Sequence, residues 1–504
     1  MGVYKKGIVA SGHRLVSEAA ARMLKEGGNA FDGVVAAGFA STVVEQTLTS
    51  LGGGGFLLGH SAGQGRDVFF DFFVDTPGLG RQGALCGSHF FPVTIQFSGA
   101  PQVFNIGLGS VAVPGIAKGL LHVHRRLGRM PLEEVVAPAI TLARGHLVNN
   151  YQASFLQLLT PILTQTSTGR ALYGTAQKYI REGDRLVNEE LASFLEQLIK
   201  DGGDSFYRGD IAAAIAAEMD EKGGLLSRAD LAAYRVIERK PVSIDYNGAC
   251  FVTAPPPSLG GCLVALSLSL YAALAEHPAV WGGKEHLLQS LGVMREVERL
   301  RGDRVTTPEA LQCCVEQDIT TSLDNIRLFS RGTTHVSIAD KYGNCAGMTC
   351  SNGEGSGWYA PGTGVMLNNM MGEDDLHPDG FHCAPAGQRV GSMMSPSLLK
   401  RDDEVNLVIG SGGSKRIRSA ISEVLRGVVD FGMELQEAVT APRIFWDGRC
   451  LQVEPGLDDT VIESLGCPIN IWKSLDVYFG GVHAVIPGKA GAGDPRRGGV
   501  VIEV

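Results

Sequence analysis

The chain has 504 residues, and 67 are glycine, about 13% where roughly 7% is usual. Only 19% of residues are charged and 44% are hydrophobic, with a formal net charge of −9. This balance excludes a disordered chain, a collagen-like repeat and a nucleic-acid clamp, since the basic blocks are no longer than pairs such as Arg125-Arg126 or Lys415-Arg416.

Lys5 and Lys6 are not followed by a long apolar run, because Ser11, Gly12 and His13 intervene, so a cytoplasmic protein is expected, or a periplasmic or secreted one if a leader precedes this sequence. Residues 13–44 read as two helices. Leu15, Ala19, Met23 and Leu24 fall on one face, Gly27-Gly28 ends the first helix, and Asn29 caps the second. Gly52 to Gly55 read as a flexible turn, and Val68–Phe73 as a strand. Helices are predicted over Pro114–Leu127, Leu132–Arg144, Glu189–Lys200 and Asp210–Lys222. Strand signals follow at Val242–Tyr246 and Cys250–Val252, then a helix over Gly261–Leu274. The longest apolar stretch, near Leu263–Ala275, is too short to span a bilayer. Residues 276–332 read as polar and irregular. Beyond them come strands at Thr333–Asp340, Cys345–Ser351, Val365–Leu367, Leu398–Lys400 and Val405–Ile409, with one helix over Arg418–Phe431. The ten cysteines lack paired C-x-x-C spacing, so reduced core cysteines are expected and a zinc site is unsupported.

The most informative stretch runs from Gly332 to Asn344. Val336 and Ile338 alternate with polar residues, as in a half-buried strand. Asp340-Lys341-Tyr342-Gly343-Asn344 fits a three-residue hairpin loop with Gly343 left-handed. That register pairs Asp340 with Asn344 and therefore Thr333 with Ser351. Opposed residues share a sheet face, so two hydroxyls meet at the strand ends. A hydroxyl needs a base before it is a nucleophile, and a threonine that becomes an N-terminus carries its own, the α-amine. Spacing alone favours reading Thr333-Thr334 simply as a β-branched strand start.

Thr333-Thr334-His335 before a strand, Asp340-x-x-Gly343-Asn344 and Leu367-Asn368-Asn369 together resemble the γ-glutamyltranspeptidase family of N-terminal-nucleophile hydrolases. Further matches are Gly27–Asp32, Leu51–Phe56, Val113-Pro114-Gly115, Phe206–Gly209, Asp230–Tyr234, Pro255–Gly261, Met394-Ser395-Pro396 and Gly412-Gly413-Ser414. The resemblance implies an α/β fold, one composite αββα sandwich, without cofactor or metal. It implies self-cleavage between Gly332 and Thr333, giving a large subunit (residues 1–332) and a small one (residues 333–504) headed by the nucleophile. Thr333 would form an acyl-enzyme from a small-molecule amide and pass the acyl group to water or an amine. Ser351 matches a threonine that bonds the nucleophile. Gly412 and Gly413 match the backbone donors to the oxyanion. Ser392 and Glu373 match groups that hold the substrate's α-carboxylate and α-amine. No nucleic-acid or membrane partner is implied, and a homodimer of processed heterodimers is left open.

The sequence also departs from the family. Phe73, in Asp71-Phe72-Phe73-Val74-Asp75-Thr76-Pro77, stands where the family has an arginine that clamps the α-carboxylate. A neutral ring makes no bidentate ion pair. Gly353, Met370 and Met393 replace further polar contacts. Amide chemistry with a changed acyl pocket follows, and Phe73→Arg is expected to improve γ-glutamyl hydrolysis. Lys415, Arg416 or Arg418 could instead take over the carboxylate. Two other readings stay open: a non-catalytic relative that binds small amides, and a nucleotide-binding protein suggested by Gly52–Gly55 and Gly410–Lys415. Neither glycine run has P-loop spacing.

Overall fold

The computed structural model describes residues 4, 6–81, 88–96, 101–175, 178–274, 279–303, 332–377 and 380–504. Asn29 starts a helix because its side chain accepts the Phe31 and Asp32 N–H groups, while Asp32 returns to the Asn29 N–H. That helix is apolar all round and buried along its whole length, as such a sequence requires.

Thirteen strands form the two large sheets. In chain order they are β1 (Ile8–Ser11), β2 (Gly54–Ser61), β3 (Arg66–Phe72), β4 (Ile237–Arg239), β5 (Val242–Tyr246), β6 (Ala249–Thr253), β7 (Thr334–Ala339), β8 (Cys345–Ser351), β9 (Ser397–Arg401), β10 (Glu404–Gly412), β11 (Gly481–Ile486), β12 (Ala490–Gly493) and β13 (Val500–Glu503). The first sheet has the order β4-β3-β2-β8-β7-β1-β13, and the second β5-β6-β9-β10-β11-β12. The first therefore draws strands from both sides of Gly332.

Helices α1 (Arg14–Lys25), α2 (Ala30–Val44) and α3 (Ile116–Leu127) pack on the outer face of the first sheet, against Val9, Val336, Ile338, Met348, Leu57 and Phe70. Helices α4 (Leu259–Ala273) and α5 (Arg416–Val429) cover the second sheet. The result is a sandwich of helix, sheet, sheet and helix.

The β7–β8 register is Thr334↔Cys350 through Ala339↔Cys345, as the hairpin arithmetic requires. Gly343 has φ 89° and Asp340 N donates to Asn344 O at 2.9 Å. The neighbouring registers are Ser351↔Gly54 and Gly55↔Phe72. They set Phe73, Gly54, Ser351 and Thr333 in one row on the face toward the second sheet.

Three expectations change. Strand β7 is buried on both faces, not one. Its residues His335 and Ser337 lie between the sheets and bond there: His335 Nδ1 to Thr349 Oγ1 at 2.8 Å and Nε2 to Ser337 Oγ at 3.0 Å. Residues 52–55 are no flexible turn. A Cβ on Gly52 would lie 2.4 Å from Met366 O, and one on Gly53 2.3 Å from Ser351 O, so the glycines are demanded by close packing at the entry to β2. Lys284–Asp303 is a 20-residue helix within the stretch read as irregular, and residues 304–331 lie outside the described residues.

Among the described cysteines, Cys262, Cys345 and Cys350 are buried, while Cys250 and Cys383 are exposed. No described helix is long and apolar enough to cross a membrane.

Candidate active site

Thr333 sits just before β7 and is buried. Its hydroxyl donates to the Gly332 carbonyl oxygen at 2.6 Å. Ser351, at the end of β8, donates to the same oxygen. The two hydroxyl oxygens are 3.5 Å apart, so the sequence-derived pairing brings both onto one peptide carbonyl. Gly353 N donates to Ser351 Oγ at 3.1 Å and fixes that side chain.

The second sheet closes over this point through glycines. A Cβ on Gly410 would lie 2.2 Å from the His335 ring, and one on Gly412 would lie 2.4 Å from Thr333 O. Alternate glycines on β10 thus let the sheets meet where the nucleophile candidate sits. Gly413 follows with φ 123°. The run Gly410–Gly412 belongs to a packed strand rather than to a phosphate-binding loop. Among the described residues, no cluster of three or more His, Cys, Asp or Glu could hold a metal ion.

Three charged residues that sequence reasoning missed complete the surroundings. Arg497 Nη1 donates to Thr333 O at 2.9 Å. Glu45, just past α2, accepts from Thr334 Oγ1 at 3.0 Å. Burial pushes Glu45 up to about 7, while the Thr334 hydroxyl and the Arg497 charge oppose the rise. Glu354 accepts the Gly332 N–H at 3.0 Å. Glu354 carried one readable signal, a lone carboxylate in a glycine-rich run three residues past the paired strand. Arg497 carried none, because 164 residues separate it from its partner.

The remaining predicted residues are more dispersed. Glu373 is buried, and its Oε1 lies 2.2 Å from where a Cβ on Gly353 would stand. It therefore borders the same loop as Ser351. Ser392 lies on the loop before β9, where its Oγ accepts from Met394 N at 3.2 Å and its carbonyl from Gly260 N at 3.2 Å. No hydrogen bond among the described residues joins Ser392 to Thr333. Phe73 is 1% exposed and packs on Phe56 with ring centroids 5.5 Å apart.

The basic groups near that row are engaged elsewhere. Lys415 pairs with Asp375 at 2.9 Å, Arg416 lies 4.0 Å over the Tyr478 ring, and Arg418 pairs with Glu298. Arg389, also missed, reaches the Phe73 carbonyl at 2.5 Å and pairs with Asp71 at 3.0 Å and Asp75 at 2.8 Å. It braces the segment that carries Phe73.

The sequence profile of the family described as Gamma-glutamyltranspeptidase matches residues 16–504. The chain belongs to the γ-glutamyltranspeptidase family. As a member of this family it is an amide-bond enzyme, a hydrolase or an acyltransferase. Within the family it is 30% identical to the glutathione hydrolase proenzyme of Escherichia coli (strain K12), over 98% of this chain and 90% of that one. It is 31% identical to the acylase ACY 1 proenzyme of Pseudomonas sp. (strain SE83), over 91% and 86%. The fold is shared with the crystal structure of cephalosporin acylase from Bacillus halodurans, with a TM-score of 0.81, 24% identity, and coverage of 99% and 96%.

Proposed function

We propose that this γ-glutamyltranspeptidase-family chain is a self-maturing amide-bond enzyme whose nucleophile is Thr333. The observation that carries the reading is the pair of hydroxyls, Thr333 and Ser351, on the one carbonyl of Gly332. Thr333 Oγ1 attacks the Gly332 carbonyl carbon. The Gly332–Thr333 C–N bond breaks as the ester bond forms, and the hydroxyl proton passes to the departing Thr333 nitrogen. Water then hydrolyses the ester. It leaves a Gly332 carboxyl group, a free Thr333 hydroxyl and a free Thr333 α-amine.

That α-amine, with an ordinary pKa of about 7.7–8.0, is the base for the second reaction. Thr333 Oγ1 attacks a substrate amide, the amine leaves, and water or another amine takes the acyl group. Ser351 steadies the nucleophile. In this reading the Gly412 and Gly413 backbone amides are the donors to the oxyanion, where donors placed in advance stabilise the developing charge. Glu373 and Ser392 hold the substrate's polar groups.

The measurement is intact mass with a denaturing gel. The wild type should give chains of residues 1–332 and 333–504, and Thr333→Ala a single inactive chain. An intact wild-type chain with full amide turnover would overturn the reading.

A second reading concerns the acyl group. Phe73 offers a buried ring where an arginine would clamp a carboxylate, and Lys415, Arg416 and Arg418 are each committed to other contacts. These points favour an acyl group without the γ-glutamyl α-carboxylate, as in an acylase. A panel of amides should then give a higher kcat/KM for a simple apolar acyl amide than for glutathione. The opposite order rejects it.

A further inference from the structure

The Gly332 carbonyl is held at its oxygen by two hydroxyls, and the same residue is also held at its nitrogen. Gly332 N donates to Glu354 Oε1 at 3.0 Å, and Glu354 is 1% exposed. The loop that carries Glu354 is itself fixed, since Glu354 N and Gly355 N both donate to Asn369 Oδ1, at 3.0 and 3.2 Å. Position 332 has room only for glycine, because a Cβ there would lie 1.8 Å from Gly353 O. Glycine is the residue with the freest backbone. A scissile glycine therefore gains no orientation from its own side chain and must take it from hydrogen bonds to its peptide groups.

We propose that Glu354 is a positioning residue for self-cleavage: by anchoring the Gly332 N–H it fixes the rotation of the scissile carbonyl under Thr333 and Ser351. The inference rests on the Thr333 reading above. Glu354 Oε1 holds the Gly332 N–H, on the peptide group before the one that breaks, so it acts through Gly332. A hydrogen bond to a carboxylate is shorter and stronger than a neutral one, which suits an anchor. Misplacement of reacting groups by about 1 Å can cost about 10²-fold in rate. Loss of the anchor should therefore appear in the rate of maturation rather than in the fold.

The experiment follows the full-length chain by timed denaturing gel and intact mass, with the thermal midpoint recorded for each variant. Glu354→Ala should slow the appearance of the two chains at least about tenfold at an unchanged midpoint. Glu354→Gln keeps an oxygen that accepts the Gly332 N–H and should cleave within a few-fold of wild type. Should Glu354→Ala melt early, Glu354→Asp decides, because it keeps the carboxyl group and shortens the side chain by one methylene; slow cleavage is expected. Wild-type cleavage rates for Glu354→Ala or Glu354→Asp, or equally slow rates for Gln and Ala, overturn the proposal. Failure of the Thr333 reading shows separately, as a wild-type chain that never cleaves, and it would remove this inference too.

Discussion

A methyl group on residue 412 would stand 2.4 Å from the Thr333 carbonyl oxygen and 3.0 Å from Arg497 Nη1. Neither neighbour can yield cheaply, since one is backbone and the other donates to that same oxygen. Gly412→Ala should therefore push Thr333 out of line and lower self-cleavage and amide turnover by about 10²-fold. Gly63→Ala, where a Cβ meets nothing within 4 Å, should leave both rates unchanged. The surroundings of Phe73 bear on Phe73→Arg. The ring is buried against Phe56, and Asp71, on the same sheet face, already pairs with Arg239 and Arg389. A guanidinium placed there would lack a counter-charge from Asp71, and an unpaired buried charge costs several kcal/mol. A lowered melting midpoint with no gain in γ-glutamyl turnover is now expected; a gain at unchanged midpoint would restore the clamp idea. Thr333 and Ser351 were legible because a short hairpin turns sequence spacing into position. Arg497 was not, because it lies 164 positions along the chain from Thr333 and only the tertiary fold joins them, and Glu354 offered no more than its place in a glycine-rich run.

Among the elements, the hairpin, the two N-terminal helices and the strand Val242–Tyr246 fall where apolar spacing and turn residues put them. The helix Lys284–Asp303 did not declare itself, and its composition explains why. Glu285, Arg295, Glu296, Glu298 and Arg299 crowd a sequence whose apolar residues are few. Yet Leu287, Leu291 and Met294 recur at helical spacing and pack against Ile444, Leu451 and Val453. These partners belong to three-residue strands too short to show a period of their own. The burial gives the test. Leu291 is 3% exposed and Leu288 is 40% exposed on the same helix. Leu291→Ala should cost about 2–5 kcal/mol, read by denaturant titration, because it leaves a cavity. Leu288→Ala should cost no more than about 0.5 kcal/mol. Equal losses would mean that the helix does not dock on this strand pair.

Across the whole molecule, the first sheet interleaves strands from both sides of Gly332, with β7 between β1 and β8 and β8 between β7 and β2. Polar contacts follow the same seam. Asp340 accepts from Ala30 N, Asn344 from Ala62 N, and Glu45 from Thr334 Oγ1. Glu45 makes this seam sensitive to pH. Its carboxyl is held up to about 7 by burial, against an ordinary value of 4.5. Between about pH 4.5 and 7 the unfolded chain has released this proton and the native chain has kept it. The native state then binds more protons, so stability falls as pH rises through that window and levels off above it. The loss attributable to Glu45 is on the order of 3 kcal/mol. Glu45→Gln keeps a partner for the Thr334 hydroxyl and removes the titration. Unfolding free energies of the two proteins, measured from pH 4.5 to 8, should therefore diverge in favour of the glutamine variant as pH rises. A difference that stays constant across that range would mean that Glu45 is already ionised at its low end, with the Arg497 charge outweighing burial.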